Sequence, residues 1–195
     1  MKKLLEIVAR ELSISLALHE RVLADQEIAT TLMNAAVAAS KSISVGGKIV
    51  FAGNGGSFAD AQHLAAEFIG NMGVPRPSLP SLTLGTNHSS TSAIGNDFTF
   101  DEIFLREFSA IGGEKDFLIL ISTSGNSKNL LQLGEFAGKL GVEGLVLTGK
   151  TGGSLAGIFP SIVVPHNRTE RIQEIHILLG HIFCELVETC LGYRQ

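Results

Sequence analysis

The chain has 195 residues, a length that fits one domain with a substantial hydrophobic core. Hydrophobic residues make up 45% and charged residues 17%, and the formal net charge of −4 gives no electrostatic reason to expect nucleic acid or an anionic membrane as a partner. The sequence contains no apolar run of the ~18 residues that would predict a membrane helix. Cys184 and Cys190 lie six residues apart in one helical segment, so we expect reduced thiols in a cytoplasmic protein.

Helical and apolar segments alternate along the chain. Two helices are predicted first, over Lys3–Leu23 and from Asp25 to a stop at Gly46-Gly47. Short apolar runs then predict five strands separated by helical patterns, which implies a parallel sheet covered on both faces. We therefore predict a single α/β domain over 1–195, a doubly wound five-stranded sheet preceded by N-terminal helices. The predicted strands cover 48–52, 81–84, 117–121, 144–147 and 162–164, and the later helices cover 58–69, 128–140 and 168–191.

Two polar loops directly follow predicted strands, where ligands bind in such folds. The glycine loop, residues 53–57, lets the backbone approach a ligand closely, but Phe58 stands where a dinucleotide fingerprint needs glycine. The hydroxyl loop, residues 122–127, places four hydroxyls before a helix N-terminus, where unpaired N–H groups favour an anion. A serine-rich helix cap is the alternative for the hydroxyl loop, and a tight turn for the glycine loop. Together they favour a phosphate monoester.

A histidine and a carboxylate share one face of the helix after the glycine loop. His63 and Glu67 are four residues apart, so both side chains lie on the same side of that helix. Imidazole and carboxylate suit Zn²⁺ or a similar divalent ion. Such pairs also form solvated surface contacts, but the position of this helix at the strand ends favours a site.

Polar residues elsewhere need partners as well. In the last helix we expect Glu174 to serve as a helix-capping residue. Asn96 and Asp97 follow Gly95 in a predicted loop, where they could form an Asx turn or contact sugar hydroxyls.

The sequence resembles a known family, the phosphoheptose isomerases (sedoheptulose 7-phosphate isomerases) of the sugar isomerase, or SIS, domain superfamily. The resemblance covers nearly the whole chain and implies the flavodoxin-like fold of that superfamily. It rests on A-G-N-G-G-S-x-A-D-A-Q-H-x-A-x-E-F (52–68), A-I-G-N-D (93–97), I-S-T-S-G-N-S (121–127), L-T-G-x-x-G-G (147–153) and R-I-Q-E-x-H-I-L-x-G-H (171–181).

The resemblance implies an aldose–ketose isomerase that acts through a metal-assisted enediol. Glu67 and His181 match the family's acid–base pair, and one Zn²⁺ per site would be held by His63, Glu67, Gln173 and His181. The residues expected to contact the substrate, with the hydroxyls of 122–127 on its phosphate, are Asn54, Gly55, Gly56, Ser57, Glu67, Asn96, Asp97, Ser122, Thr123, Ser124, Ser127 and Gln173.

The chain departs from the family pattern at two positions. Asn71 stands where many members have arginine, and Asn87 where many have aspartate, which leaves the exact sugar phosphate open. Two alternatives are a non-catalytic SIS-domain sensor of a sugar phosphate and a scaffold like the replication-initiator-associating proteins. Because this chain keeps Glu67 and His181, which those scaffolds lack, the isomerase is favoured over both.

The spacing in the last helix also bears on assembly. Gln173 and His181 are eight residues apart, ~12 Å along a regular helix, whereas two ligands of one ion lie only ~3–4 Å apart. Either the helix is distorted, or the site takes ligands from more than one chain. The apolar residues of this helix, Leu179 among them, and the N-terminal helices of 1–45 predict a helical bundle between subunits. The resemblance implies a homotetramer.

Overall fold

A computed structural model describes residues 1–194, and within them the chain folds into five β-strands and seven α-helices. Short 3₁₀ turns cover Phe100–Glu102 and Ser154–Gly157. The strands are β1 (Ile49–Gly53), β2 (Ser81–Thr83), β3 (Phe117–Ser122), β4 (Glu143–Gly149) and β5 (Ser161–Val164). The helices are α1 (Lys2–Ala24), α2 (Gln26–Ser44), α3 (Gly56–Ile69), α4 (His88–Asp97), α5 (Ile103–Ile111), α6 (Lys128–Lys139) and α7 (Thr169–Cys190).

The five strands form one parallel sheet in the order β2-β1-β3-β4-β5. The chain order reverses direction between β1 and β3, the position at which doubly wound folds of this order bind their ligands. The glycine loop follows β1 and the hydroxyl loop follows β3, so both lie at this switch point. The predicted fold class is confirmed.

Alternation along the strands divides the core into two layers, one on each face of the sheet. Ile49 and Phe51 of β1 pack with α2, α3 and α7, whereas Val50 and Ala52 pack with α5 and α6. Both sets are fully buried, which explains why the strands read as continuous apolar runs.

The two N-terminal helices differ in how much of their surface the chain itself covers. Asp25 caps α2 by accepting hydrogen bonds from the N–H groups of Glu27 and Ile28, as its position in the sequence predicts. Helix α2 buries seven residues, but α1 buries only Leu18 and Val22. Within residues 1–194 no helix is both long enough and apolar enough to span a membrane.

One segment differs from its predicted structure. Asn96 and Asp97 were expected in a loop, but they form the last turn of α4. They are exposed, and the Asn96 amide donates a hydrogen bond to Asp97 Oδ1 (2.8 Å). The serine-rich composition of this segment hides the helix, since serine and asparagine favour turns as well as helix starts.

Candidate active site

Three potential metal ligands meet between α3 and α7. His63 Nε2 lies 2.9 Å from His181 Nε2 and 3.4 Å from Glu67 Oε1. One ligand atom from each residue lies within 4.8 Å of the others. We call these three residues the triad. Two imidazole nitrogens and a carboxylate oxygen at these separations fit the ligand chemistry of Zn²⁺.

The triad forms because α3 and α7 approach each other very closely at a glycine. Gly180, next to His181, faces Leu64, next to His63, and a Cβ on Gly180 would lie 2.5 Å from Leu64 Cδ1. Further along, the rings of Phe68 and Phe183 pack edge to face with centroids 6.1 Å apart. A larger residue at position 180 would hold the helices, and so the two histidines, farther apart.

Gln173 is placed at the other end of this helix pair. Its amide lies against the backbone of Gly56, where a Cβ would overlap Gln173 Nε2. Helix α7 runs without interruption from Thr169 to Cys190, so the structure contains no distortion that would bring Gln173 to His181. Gly56 also lies two turns of α3 before His63. Within one chain the fourth predicted metal ligand is therefore about two helical turns from the triad.

Asp60, one turn before His63, is a half-buried carboxyl. Its Oδ2 is buried and accepts no hydrogen bond within residues 1–194. Burial raises the pKa of the Asp60 carboxyl, and the proximity of His63 opposes that change.

The glycine loop and the start of α6 are joined by a reciprocal pair of amides. Asn54 Nδ2 donates to Asn129 Oδ1 and Asn129 Nδ2 donates to Asn54 Oδ1, both at 2.9 Å. Asn129 is 2% exposed, and its Oδ1 also accepts from the N–H of Leu130. The pair fixes the glycine loop relative to the first turn of α6, across the β1/β3 switch point. Because its side chain is occupied in this way, Asn54 has mainly its backbone to offer a ligand.

The hydroxyl loop is a compact turn with its side chains close together. Ser122 Oγ lies 3.3 Å from Ser127 Oγ and accepts a hydrogen bond from the N–H of Gly125. Ser124 Oγ accepts from the N–H of Asn126 (3.3 Å). Ser127 is the N-cap of α6, but its side chain makes no capping hydrogen bond within the part of the chain described. An ordinary helix cap therefore does not account for this serine.

A second glycine-rich loop, residues 149–153, packs against the backbone of the hydroxyl loop. Gly125 has a φ of +66°, and a Cβ there would overlap the carbonyl oxygen of Gly152. Under this loop, His176 is fully buried and its Nε2 lies 3.0 Å from the carbonyl oxygen of Thr148. Burial lowers the pKa of His176 to about 4, so the ring is neutral and donates to that carbonyl.

A cavity of about 220 Å³ opens beside the glycine loop. Asn54 and Gly55 line one side, and His88 and Thr91 of α4 line another. Asn96 and Asp97 lie at the opposite end of α4 and do not line it. The structure therefore brings residues near the N-terminus of α4 to the glycine loop, whereas Asn96 and Asp97, which the family resemblance implies as sugar contacts, lie away from it.

The remaining predicted residues have simple positions. Gly56 and Ser57 open α3, with Ser57 buried, and Thr123 is half-buried between Ser122 and Ser124. Asn87 caps α4 by accepting from the N–H groups of Ser89 and Ser90, and exposed Asn71 accepts from Gly73 N–H.

Glu174 does not cap a helix as the sequence predicted. It pairs with Arg171 (2.6 Å) and accepts a hydrogen bond from Ser15 of α1. Leu179, predicted on a bundle face between subunits, is 4% exposed and packs in the core of this chain, and it also lines an apolar cavity between α1, α2 and α7. In α7 the exposed apolar residues are Leu178 and Ile182.

Comparison with known proteins places this arrangement in a family. A sequence model of the SIS domain matches residues 15–149. The phosphoheptose isomerase of Aneurinibacillus thermoaerophilus is 45% identical over 178 residues, which cover 91% of this chain and 90% of that protein. The phosphoheptose isomerase 2 of Campylobacter jejuni is 42% identical over 89% of this chain and 87% of its own length.

A solved structure agrees with these relatives. The phosphoheptose isomerase of Neisseria gonorrhoeae superposes with a TM-score of 0.88 at 37% identity, covering 95% of this chain and 99% of that one.

Proposed function

The chain belongs to the phosphoheptose isomerases of the SIS domain family, and on that premise we propose that it converts sedoheptulose 7-phosphate to D-glycero-D-manno-heptose 7-phosphate. The product would supply heptose for a lipopolysaccharide, a capsule or another glycoconjugate. The protein is an isomerase, so the two alternatives that the sequence left open, a sugar-phosphate sensor and a scaffold, are not adopted.

The observation that carries the proposed chemistry is the triad. Isomerisation moves a proton between neighbouring carbons through an enediol, which needs a base and an acid close to each other. Glu67 is assigned to take the proton from the carbon next to the carbonyl, and His181 to exchange a proton with the substrate oxygens. A carboxylate oxygen of Glu67 lies within 4.8 Å of a ring nitrogen of His181, so a single substrate can reach both side chains.

A metal ion fits the same donors. The proposed ligands are His63, Glu67 and His181 from one chain, with Gln173 completing the set. Bound Zn²⁺ would act as a Lewis acid on the substrate oxygens. Because the amide of Gln173 lies about two turns away in its own chain, we assign the fourth ligand to a second copy of the chain.

The phosphate is assigned to the hydroxyl loop. Ser122, Thr123, Ser124 and Ser127 offer neutral donors at the N-terminus of α6, where the helix dipole favours an anion. The carbon chain would then extend past the glycine loop toward the triad. In this pose Asn54, Gly55, Gly56 and Ser57 contact the sugar mainly through their backbone, and Asn96 and Asp97 remain candidates for contacts through a neighbouring chain.

An assembly of several copies, proposed as a homotetramer, would cover apolar surface that one chain leaves open. A cavity of about 580 Å³ between α1, α2 and α7 is lined largely by apolar side chains, including Leu16 and Met33, which are 62% and 56% exposed. Patches of this kind mark protein interfaces. Exposed apolar residues that we assign to the contact are Leu4, Leu5, Val8, Leu12, Leu16, Leu23, Met33, Leu178 and Ile182.

The test is direct conversion of the substrate. Purified protein is incubated with sedoheptulose 7-phosphate in ²H₂O, with and without a chelator, and the aldose product is followed by NMR. We expect product from the untreated protein and loss of turnover with chelator that added Zn²⁺ restores. Glu67→Gln should lower kcat by at least ~100-fold, the scale of acid–base catalysis.

A matched control is Glu135→Gln, which makes the same change in α6. Full activity of the Glu67→Gln enzyme would exclude the proposed role of Glu67. Turnover of another sugar phosphate with no turnover of sedoheptulose 7-phosphate would exclude the proposed substrate.

A further inference from the structure

Arg76 is almost completely buried, with a side chain that is 1% exposed, although it lies in the loop between α3 and β2. Its guanidinium donates hydrogen bonds to backbone carbonyls at the end of α3. Nη2 binds the carbonyl oxygen of Glu67 (2.7 Å), and Nη1 binds those of Phe68 (2.8 Å) and Gly70 (3.2 Å). The last carbonyls of a helix have no partner inside the helix, and a positive charge there is favourable.

The same guanidinium is bound to α7. Arg76 Nε donates to Oε1 of Glu188 (2.6 Å), whose side chain is 0% exposed. The other oxygen of Glu188 accepts from Arg194. Glu188 follows His181 by seven residues, so both lie on the same face of α7, two turns apart. One buried side chain therefore joins the backbone of Glu67 to the helix that carries His181.

We propose that Arg76 is a positioning residue for the triad, a role that rests on the proposed function of His63, Glu67 and His181. Close contact at Gly180 and Leu64 sets the distance between α3 and α7. Arg76 sets their position along the helix axes, because it is hydrogen-bonded both to carbonyl groups at the end of α3 and to Glu188 of α7. Together the two contacts hold Glu67 and His63 level with His181.

Positioning explains this network better than stability alone does. Removing two charges from water is unfavourable, and buried ion pairs often stabilise a protein no more than well-packed apolar residues would. What arginine adds is a rigid planar fork that fixes several acceptors at once. Lysine could keep the charge beside Glu188, but as a point charge it could not hold the carbonyls of Glu67, Phe68 and Gly70 in the same geometry.

The experiment compares Arg76→Lys, the apolar double variant Arg76→Met/Glu188→Met, and Lys48→Met as control. Lys48 also forms a partly buried ion pair, with Asp116 (2.7 Å), but this pair joins the residues that precede β1 and β3, and within residues 1–194 it makes no hydrogen bond to α3 or α7. Metal is removed from each full-length protein. Affinity for Co²⁺ and its visible absorption spectrum are then measured by titration, affinity for Zn²⁺ by competition, and folding by thermal unfolding and circular dichroism.

If Arg76 positions the triad, folded Arg76→Lys and the double variant bind both metals about 10–100-fold more weakly, the usual effect of losing a residue that orients ligands. The Co²⁺ spectrum changes, and kcat falls while KM for the sugar phosphate changes less than about twofold, because the hydroxyl loop lies on other elements. Lys48→Met keeps wild-type metal affinity.

A purely structural role gives a different result, which would overturn the inference: a lower unfolding temperature with wild-type metal affinity, spectrum and kcat in the folded protein. Failure of the proposed metal site can be recognised separately, since the wild-type protein and His63→Ala would then bind Co²⁺ equally. In that case the Arg76 proposal stands or falls on whether kcat drops in folded Arg76→Lys.

Discussion

Gly180→Ala tests the helix contact beneath the triad with one added methyl group. The new Cβ would lie 2.5, 2.7 and 3.1 Å from Cδ1, Cδ2 and Cγ of Leu64. Carbon atoms pack at about 3.5–4.0 Å, so the overlap is roughly 1 Å. Leu64 is itself buried, with 1% of its surface exposed. Either Leu64 leaves its place in the core or α3 and α7 move apart.

The expected effects on stability and on metal binding differ in size. Overpacking a core costs about 1–3 kcal/mol, and alanine recovers about 1 kcal/mol over glycine in a helix, so the free energy of unfolding should fall by about 0–2 kcal/mol. Metal–ligand distances tolerate only about ±0.2 Å. A helix shift approaching 1 Å separates His63 from His181 by more than that, so affinity for Zn²⁺ should fall at least ~10-fold.

Zn²⁺ competition and urea unfolding measure both quantities on the same protein. Gly138→Ala is the matched control, because a Cβ there meets nothing within 4 Å in α6. It should stabilise slightly and leave metal binding unchanged. Leu64→Ala/Gly180→Ala removes the overlapping atoms and should be less destabilised than the sum of the single variants. Gly180→Ala with wild-type metal affinity and stability would refute the reasoning.

Three further predictions concern the phosphate, the assembly and pH. Ser124→Ala should weaken binding of a phosphorylated sugar by about 1.5–3 kcal/mol, measured by calorimetry, and equal affinity would place the phosphate elsewhere. The His63→Ala and Gln173→Ala variants should each be inactive alone. If each site takes Gln173 from another chain, the two variants refolded together should recover about a quarter of wild-type activity. No recovery would mean that one chain supplies the whole site. Burial lowers the pKa of His176 from its ordinary value of 6.5 to about 4. Its contribution to the free energy of unfolding is therefore fully present above pH 6.5 and is lost as the pH falls through 4, because the unfolded chain takes up the proton first. His176→Gln should flatten urea-unfolding stability over that pH range, and an unchanged slope would exclude His176 as its source.

The sequence predicts the elements and loops of this fold because local patterns determine them. Strands β1 and β3 are short apolar runs with both faces buried, and Asp25 marks the start of α2 by its capping chemistry. Because the strands are parallel, the glycine loop and the hydroxyl loop must both lie at the carboxyl ends of the strands, on the same side of the sheet. The pairing of His63 with Glu67 follows from helical spacing alone.

Contacts between distant segments are what the sequence does not reveal. Asn54 and Asn129 are 75 residues apart, and no local pattern marks either amide as the partner of the other. Arg76 reads as an ordinary charged loop residue, although it is buried against Glu188, 112 residues away. Leu179 is buried in the core and also lines the apolar cavity between α1, α2 and α7, and an apolar stripe in the sequence does not distinguish these two positions. Gly180 belongs to a motif that the sequence shows, but its close contact with Leu64 of α3 can be seen only in the structure.

The two halves of the candidate site are held by different physical means, and this difference predicts how variants should behave. Backbone turns and the Asn54–Asn129 amide pair fix the half that we propose binds the phosphate, where one lost hydrogen bond should weaken binding without moving its neighbours. Contact between two helices fixes the triad, so a change at Gly180 or Arg76 shifts several ligands together. Loop variants should therefore act mainly through KM, and helix-contact variants through metal affinity and kcat.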